Sequence, residues 1–123
     1  MKYWLPVLIW AGFIFYLSGV PNLSSGLPVF WDVFWRKLAH AGIFGFLFLL
    51  IFRALRFEQG LDFKKALIWG LILAIGYAFF DEAHQYFVPD RQARLLDVGF
   101  DSLGILFFSC LVFLIRTKIK IKK

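Results

Sequence analysis

The sequence predicts an all-α integral membrane protein: one domain over residues 1–123, built as a bundle of four transmembrane helices with both termini in the cytoplasm. Three observations carry that expectation. Hydrophobic residues make up 61% of the chain and mean hydropathy is +0.75, well beyond the range of a soluble domain. Four apolar runs of helical length alternate with short polar segments. The 14 Lys and Arg are divided unequally among those segments, which gives an orientation.

The first run, Tyr3 to Val20, is free of charge, and its 18 residues would give roughly 27 Å of helix at 1.5 Å per residue, close to the hydrocarbon thickness. A cleaved signal peptide fits less well, because Lys2 alone precedes the run and no A-x-A-like exit follows it. Pro21 to Pro28, PNLSSGLP, is a turn-rich loop that ends this helix. The second helix is expected over about 33–55. Asp32 is its candidate N-cap, Asp32 and Arg36 form an i, i+4 pair, and Phe30, Trp31, Phe34 and Trp35 form an interfacial aromatic belt.

A charged loop, RALRFEQGLDFKK, separates it from the third helix, expected over about 66–87 and stopped by Val88-Pro89. The fourth is expected over about 98–115 with Asp97 as its cap. The tail RTKIKIKK then reads as a basic anchor on an anionic leaflet rather than as a strand. With both termini inside, Lys2, Arg53, Arg56, Lys64, Lys65, Arg116, Lys118, Lys120, Lys122 and Lys123 fall on the cytoplasmic side. Only Arg36, Lys37, Arg91 and Arg94 fall outside.

Composition also excludes several classes. The net charge of +6 lies in loops and a terminal tail rather than on a soluble module, so nucleic acid is not an expected partner. The single cysteine, Cys110, sits in an apolar run and leaves no disulfide framework or thiolate metal site. No HExxH, nucleophile elbow or glycine-rich phosphate loop occurs, and no motif calls for a cofactor.

Charge inside such a chain marks a place where charge is needed. The stretch Phe80 to Gly104, FDEAHQYFVPDRQARLLDVGFDSLG, holds Asp81, Glu82, Asp90, Asp97 and Asp101 with Arg91, Arg94 and His84. The predicted orientation puts it at the same membrane depth as Lys37 and His40. At ~100° per residue, Lys37, His40 and Phe44 share a face of the second helix. Asp81, His84 and Gln85 lie within about 100° of one another on the third, with Glu82 on the adjoining flank. Asp97, Asp101, Gly104 and Phe108 form a stripe on the fourth, where Gly104 would admit a close neighbour.

An ionisable group at the bilayer centre costs ~2.5–3.5 kcal/mol, so these side chains should face one another or a wet cavity. The competing reading is structural: Asp97 and Asp101 complement a helix dipole, the remaining charges pair with Arg91 and Arg94, and His84 is an interfacial histidine. Glu82 and His84, at i, i+2, point to opposite sides and cannot chelate one ion. His40, Glu82 and Asp101 together could hold a divalent ion, but nothing local demands it and no metal is assigned. Glu82 or Asp101 with His40 could do acid-base work. Lys37, Arg91 and Arg94 could instead clamp a phosphate or carboxylate, the arginines bidentately.

The combination of SGVPN after the first helix, KLAH at Lys37 to His40, DEAHQYFVPDR at Asp81 to Arg91, and D-x-x-x-D-x-x-G at Asp97, Asp101 and Gly104 resembles the VanZ-like family. These are small bacterial membrane proteins named for one associated with teicoplanin resistance. Asp90 stands where a glycine is common in that family, and Asp101 where an asparagine is common, which favours a hydrogen-bonding role at 101. The resemblance implies a four-helix protein of the bacterial cytoplasmic membrane, linked to glycopeptide tolerance, and supplies no reaction.

Two functional expectations follow. The first is an outward-facing pocket that binds an anionic envelope lipid or a peptidoglycan-related, lipid-linked headgroup through Lys37, Asp81, His84, Gln85, Arg91, Arg94 and Asp97. The second is a membrane-embedded enzyme with Glu82, Asp101 and His40 as its acid-base groups. A proton or ion path is disfavoured, since the cytoplasmic halves of the helices carry no charge to continue it.

Overall fold

A computed structural model describes residues 2–18, 29–87 and 95–122. Those residues form four α-helices and no strand: α1 (Trp4–Ser18), α2 (Val29–Phe57), α3 (Phe63–Tyr86) and α4 (Leu95–Lys122). Within α2, α3 and α4, the stretches Phe34–Phe57, Phe63–Tyr86 and Val98–Lys118 are long and apolar enough to cross a membrane. α1 is equally apolar but has 15 residues, about 22 Å of helix.

Several boundaries differ from expectation. α2 starts at Val29 and α4 at Leu95, so Asp32 and Asp97 lie inside first turns instead of capping them. Val29-Phe30-Trp31 and Leu95-Leu96 contain nothing that opposes helix, and an acid in a first turn still complements the positive end of the dipole. α3 starts at Phe63 rather than near 66. Asp62 is its N-cap and accepts from the Lys65 amide at 2.8 Å. Gly60, at φ +69°, makes the turn before it in a conformation that favours glycine. Beyond 115 the basic tail stays helical to Lys122. The loop around Pro21 to Pro28, most of SGVPN, and Val88 to Arg94 lie outside the described residues.

The helices alternate in direction. At one end the Tyr3 and Trp4 amides donate to Glu58 Oε1, Trp4 Nε1 donates to Gln59 Oε1 at 3.0 Å, and the Arg116 guanidinium lies over the Phe63 ring at 4.1 Å. These contacts join the start of α1 to the end of α2, and the start of α3 to the end of α4. The opposite end therefore gathers the start of α2, the end of α3 and the start of α4. Midway, Trp10 Nε1 donates to Ile43 O at 3.0 Å and Tyr77 Oη donates to Ala11 O at 2.5 Å, tying α1 to α2 and α3.

Packing follows a large-into-small rule. α2 buries Phe44, Leu47, Phe48, Ile51, Ala54 and Leu55 at helical spacing. α3 answers with Ala66, Gly70, Ala74 and Ala78, one every four residues. A Cβ on Gly70 would lie 3.0 Å from the Phe48 ring, so the glycine makes room for that ring. The outer surface keeps large apolar side chains exposed on every helix, as lipid contact requires.

The closest approach is between α2 and α4. A Cβ built on Gly104 would fall 2.0 Å from Ala41 O, and one on Gly45 would fall 2.0 Å from the Phe108 ring and 2.9 Å from Gly104 O. Ala41-x-x-x-Gly45 thus meets Gly104 backbone to backbone, in the manner of small-residue crossings between membrane helices. This crossing fixes the register of the two helices immediately beside His40 and Asp101.

Candidate functional site

The small-residue stripe of α3 continues without a change of phase into its last turns. After Ala66, Gly70, Ala74 and Ala78, the inward positions are Asp81, Glu82 and Gln85, which are 1%, 7% and 4% exposed. The helix face that elsewhere accepts phenyl rings here turns two carboxyls and an amide inward. Gln85 Nε2 donates to Asp81 Oδ2 at 3.2 Å, one turn apart on this face.

α4 supplies Asp101, 2% exposed, one turn before Gly104. α2 supplies His40, adjacent in sequence to the Ala41 that Gly104 approaches. The crossing brings His40 Nδ1 to 3.5 Å from Asp101 Oδ1, with 29% of the His40 side chain accessible against 3% for Asp101. The imidazole is thus a partly open lid on a closed carboxylate. Its other face lies along Phe44, with ring centroids 6.1 Å apart.

Asp81 completes the group. One ligand-type atom from each of His40, Asp81 and Asp101 lies within 4.8 Å of the others. Three helices deliver these residues, and two of the three are almost fully buried. Glu82, the carboxyl expected to partner His40 and Asp101, is buried one residue away but outside that group. The four-residue rhythm of Ala66, Gly70, Ala74 and Ala78 runs on to Glu82 and marks this face as the inward one, but does not single out Asp81 beside it. Ala41 and Gly45 were also overlooked; their A-x-x-x-G spacing on a membrane helix is the cue.

The other expected residues are placed as follows. Lys37, one turn before His40 on α2, is half-buried, and its Nζ lies 4.8 Å from the centroid of the Phe100 ring on α4. His84 stacks on Phe15 of α1, with centroids 4.0 Å apart at 23°, which places it on the α1 side of α3. Its buried Nδ1 has no hydrogen-bond partner among the described residues. Asp97 is on the first turn of α4 with its side chain outside the described set, and Arg91 and Arg94 lie outside the described residues altogether.

Chemically, the arrangement places an imidazole beside a desolvated carboxylate, with a second carboxylate oriented by an amide. Such a group can hold a cation, move a proton, or orient a polar ligand that enters past His40. A family model described as VanZ/LLP1 matches residues 3–116 of the chain. No curated protein and no solved structure matches it.

Proposed function

The chain belongs to the VanZ/LLP1 family, and from that premise we propose that it is a multi-pass protein of the bacterial cytoplasmic membrane whose polar end binds an anionic headgroup. The charge bias of the loops orients both termini inward and turns this end outward, toward the cell envelope. The ligand class is a phosphate- or carboxylate-bearing envelope component, such as an anionic lipid or a lipid-linked peptidoglycan precursor. A role in teicoplanin tolerance follows from sequestering or presenting such a precursor.

The observation that carries this reading is the position of Lys37. Its ammonium is held half-buried over Phe100, one turn from His40, at the end of the bundle where Asp81, Gln85 and Asp101 are gathered. Arg91 and Arg94 fall in the sequence between α3 and α4, and arginines are the bidentate donors that a phosphate selects. Asp97 and His84 flank them in sequence. Binding of the purified chain to vesicles containing a polyprenyl diphosphate tests the proposal. Arg91→Glu and Lys37→Glu are each expected to abolish binding, and unchanged binding in both would sink it.

One contact favours a second reading, a membrane-embedded acid-base enzyme acting on a lipid-linked substrate. His40 Nδ1 faces Asp101 Oδ1 at 3.5 Å, the relation of a base to the carboxylate that orients it, with Glu82 buried nearby as a further acid. In this reading Glu82→Gln keeps the fold and the bound ligand but stops turnover. Full turnover in that variant removes Glu82 as an acid or base.

A further inference from the structure

We infer that His40, Asp81 and Asp101 form a binding site for one divalent transition-metal ion. The inference is independent of the headgroup reading, because it does not use Lys37, Arg91 or Arg94.

Two ligand atoms at about 2.1 Å from one metal, at tetrahedral or octahedral angles, are roughly 3.0–3.4 Å apart. His40 Nδ1 and Asp101 Oδ1 are already 3.5 Å apart, and an Asp81 oxygen lies within 4.8 Å of a ligand atom from each of the two residues. A side-chain movement of at most about 1.4–1.8 Å would bring the third ligand to that spacing.

Asp81 and Asp101 are 1% and 2% exposed, inside helices whose surroundings are hydrocarbon. Two carboxylates in so small a volume repel one another at low dielectric, while two carboxylates and a divalent ion form a neutral complex. A neutral imidazole adds a ligand without adding charge. The donor set also selects among ions. One nitrogen with two carboxylate oxygens suits zinc, manganese or iron(II), whereas a site for calcium or magnesium would be built from oxygen alone.

Asp81 is also supported from its own helix. Gln85 donates to Oδ2 and so fixes the carboxylate plane, as outer partners of metal ligands do. With 29% of the His40 side chain accessible, the group is open to approach from that side. Three protein ligands with an open position describe a metal that meets a substrate or a ligand oxygen, not one sealed in a structural role.

The test is a Co2+ titration of the full chain in detergent, purified with a tag free of histidine and followed by visible absorption, with Zn2+ as competitor. One equivalent of Co2+ is expected to bind with intensified d–d bands, and one equivalent of Zn2+ to displace it. His40→Gln and Asp81→Asn are expected to weaken binding by at least ~100-fold, and Gln85→Ala by ~10–100-fold, the usual effect of losing an outer partner. Ser109→Ala, a change at a buried hydroxyl that donates to Leu106 O within α4, should bind as the wild type does. A wild-type spectrum that remains that of aqueous Co2+ overturns the site, whatever the variants do. Binding that survives unchanged in both His40→Gln and Asp81→Asn overturns it too. Loss of the metal site with retained polyprenyl diphosphate binding would leave the headgroup reading standing, and the reverse result would separate them the other way.

Discussion

His40 Nδ1 lies 3.5 Å from Asp101 Oδ1, across the point where Gly104 of α4 meets the backbone of Ala41 on α2. The relation is a consequence of the crossing. Any added separation of the two helices would lengthen that contact. The energetic coupling between them should therefore be measurable. His40→Ala and Asp101→Ala are each expected to destabilise the bundle. The double variant should fall short of their sum by ~0.5–3 kcal/mol, read from a double-mutant cycle of unfolding in detergent. Simple additivity would mean that the contact carries no energy.

The crossing itself is open to test through glycines that differ in surroundings. Gly104→Ala places a Cβ 2.0 Å from a carbonyl oxygen of Ala41, and backbone cannot swing aside as a side chain can. A loss of ~1–3 kcal/mol is expected, as for overpacking elsewhere. Gly42→Ala, one residue from the same contact, meets nothing within 4 Å. That change is expected to be neutral or to gain ~0.5–1 kcal/mol from helix propensity. Thermal unfolding of the two variants side by side checks both.

Asp62 is a second kind of control. Its carboxylate caps α3 through the Lys65 amide, at the end of the bundle away from the polar group. Asp62→Ala should cost ~1 kcal/mol in stability and leave headgroup and metal binding unaltered. A change in either binding measurement would show that the two ends are coupled.

Tyr77 ties α1 to the bundle by donating to Ala11 O, and its ring lies against Phe44 and Phe80. Tyr77→Phe retains the rings and removes the bond, with an expected loss of ~0.5–1.5 kcal/mol. Since α1 presents Phe15 to His84, a shift of the His84 resonances should accompany the loss. The His40 resonances should move less.

How far the sequence alone reaches can be judged from particular residues. Helix number and the convergence of α2, α3 and α4 were legible, because charge is rare in this chain and loop cations are unevenly distributed. Starting points were harder to read. Asp32 and Asp97 looked like caps, but the residues ahead of them favour helix as strongly as those behind, so the helices begin earlier. Asp62 was hidden inside a run of charges that resembled a loop. At the site, angular spacing on one helix left Asp81 and Glu82 nearly equivalent. Only the neighbouring helices separate them, through a crossing set by Ala41 and Gly104 that no single-helix pattern specifies. His84 shows the same limit: its position on α3 allowed the polar cluster, yet Phe15 of α1 claims its ring.

His40 and Asp101 must share one site, and the chain offers a direct measurement because it contains only two histidines. In 15N-histidine-labelled protein, His84→Gln assigns the spectrum by elimination. Asp101→Asn is then expected to shift the His40 ring nitrogens and leave those of His84 where they were. Gly104→Ala, by parting the helices, should move the same His40 signals. If Asp101→Asn leaves His40 unmoved, or moves His84 in its place, the two residues do not meet and the site described above does not exist.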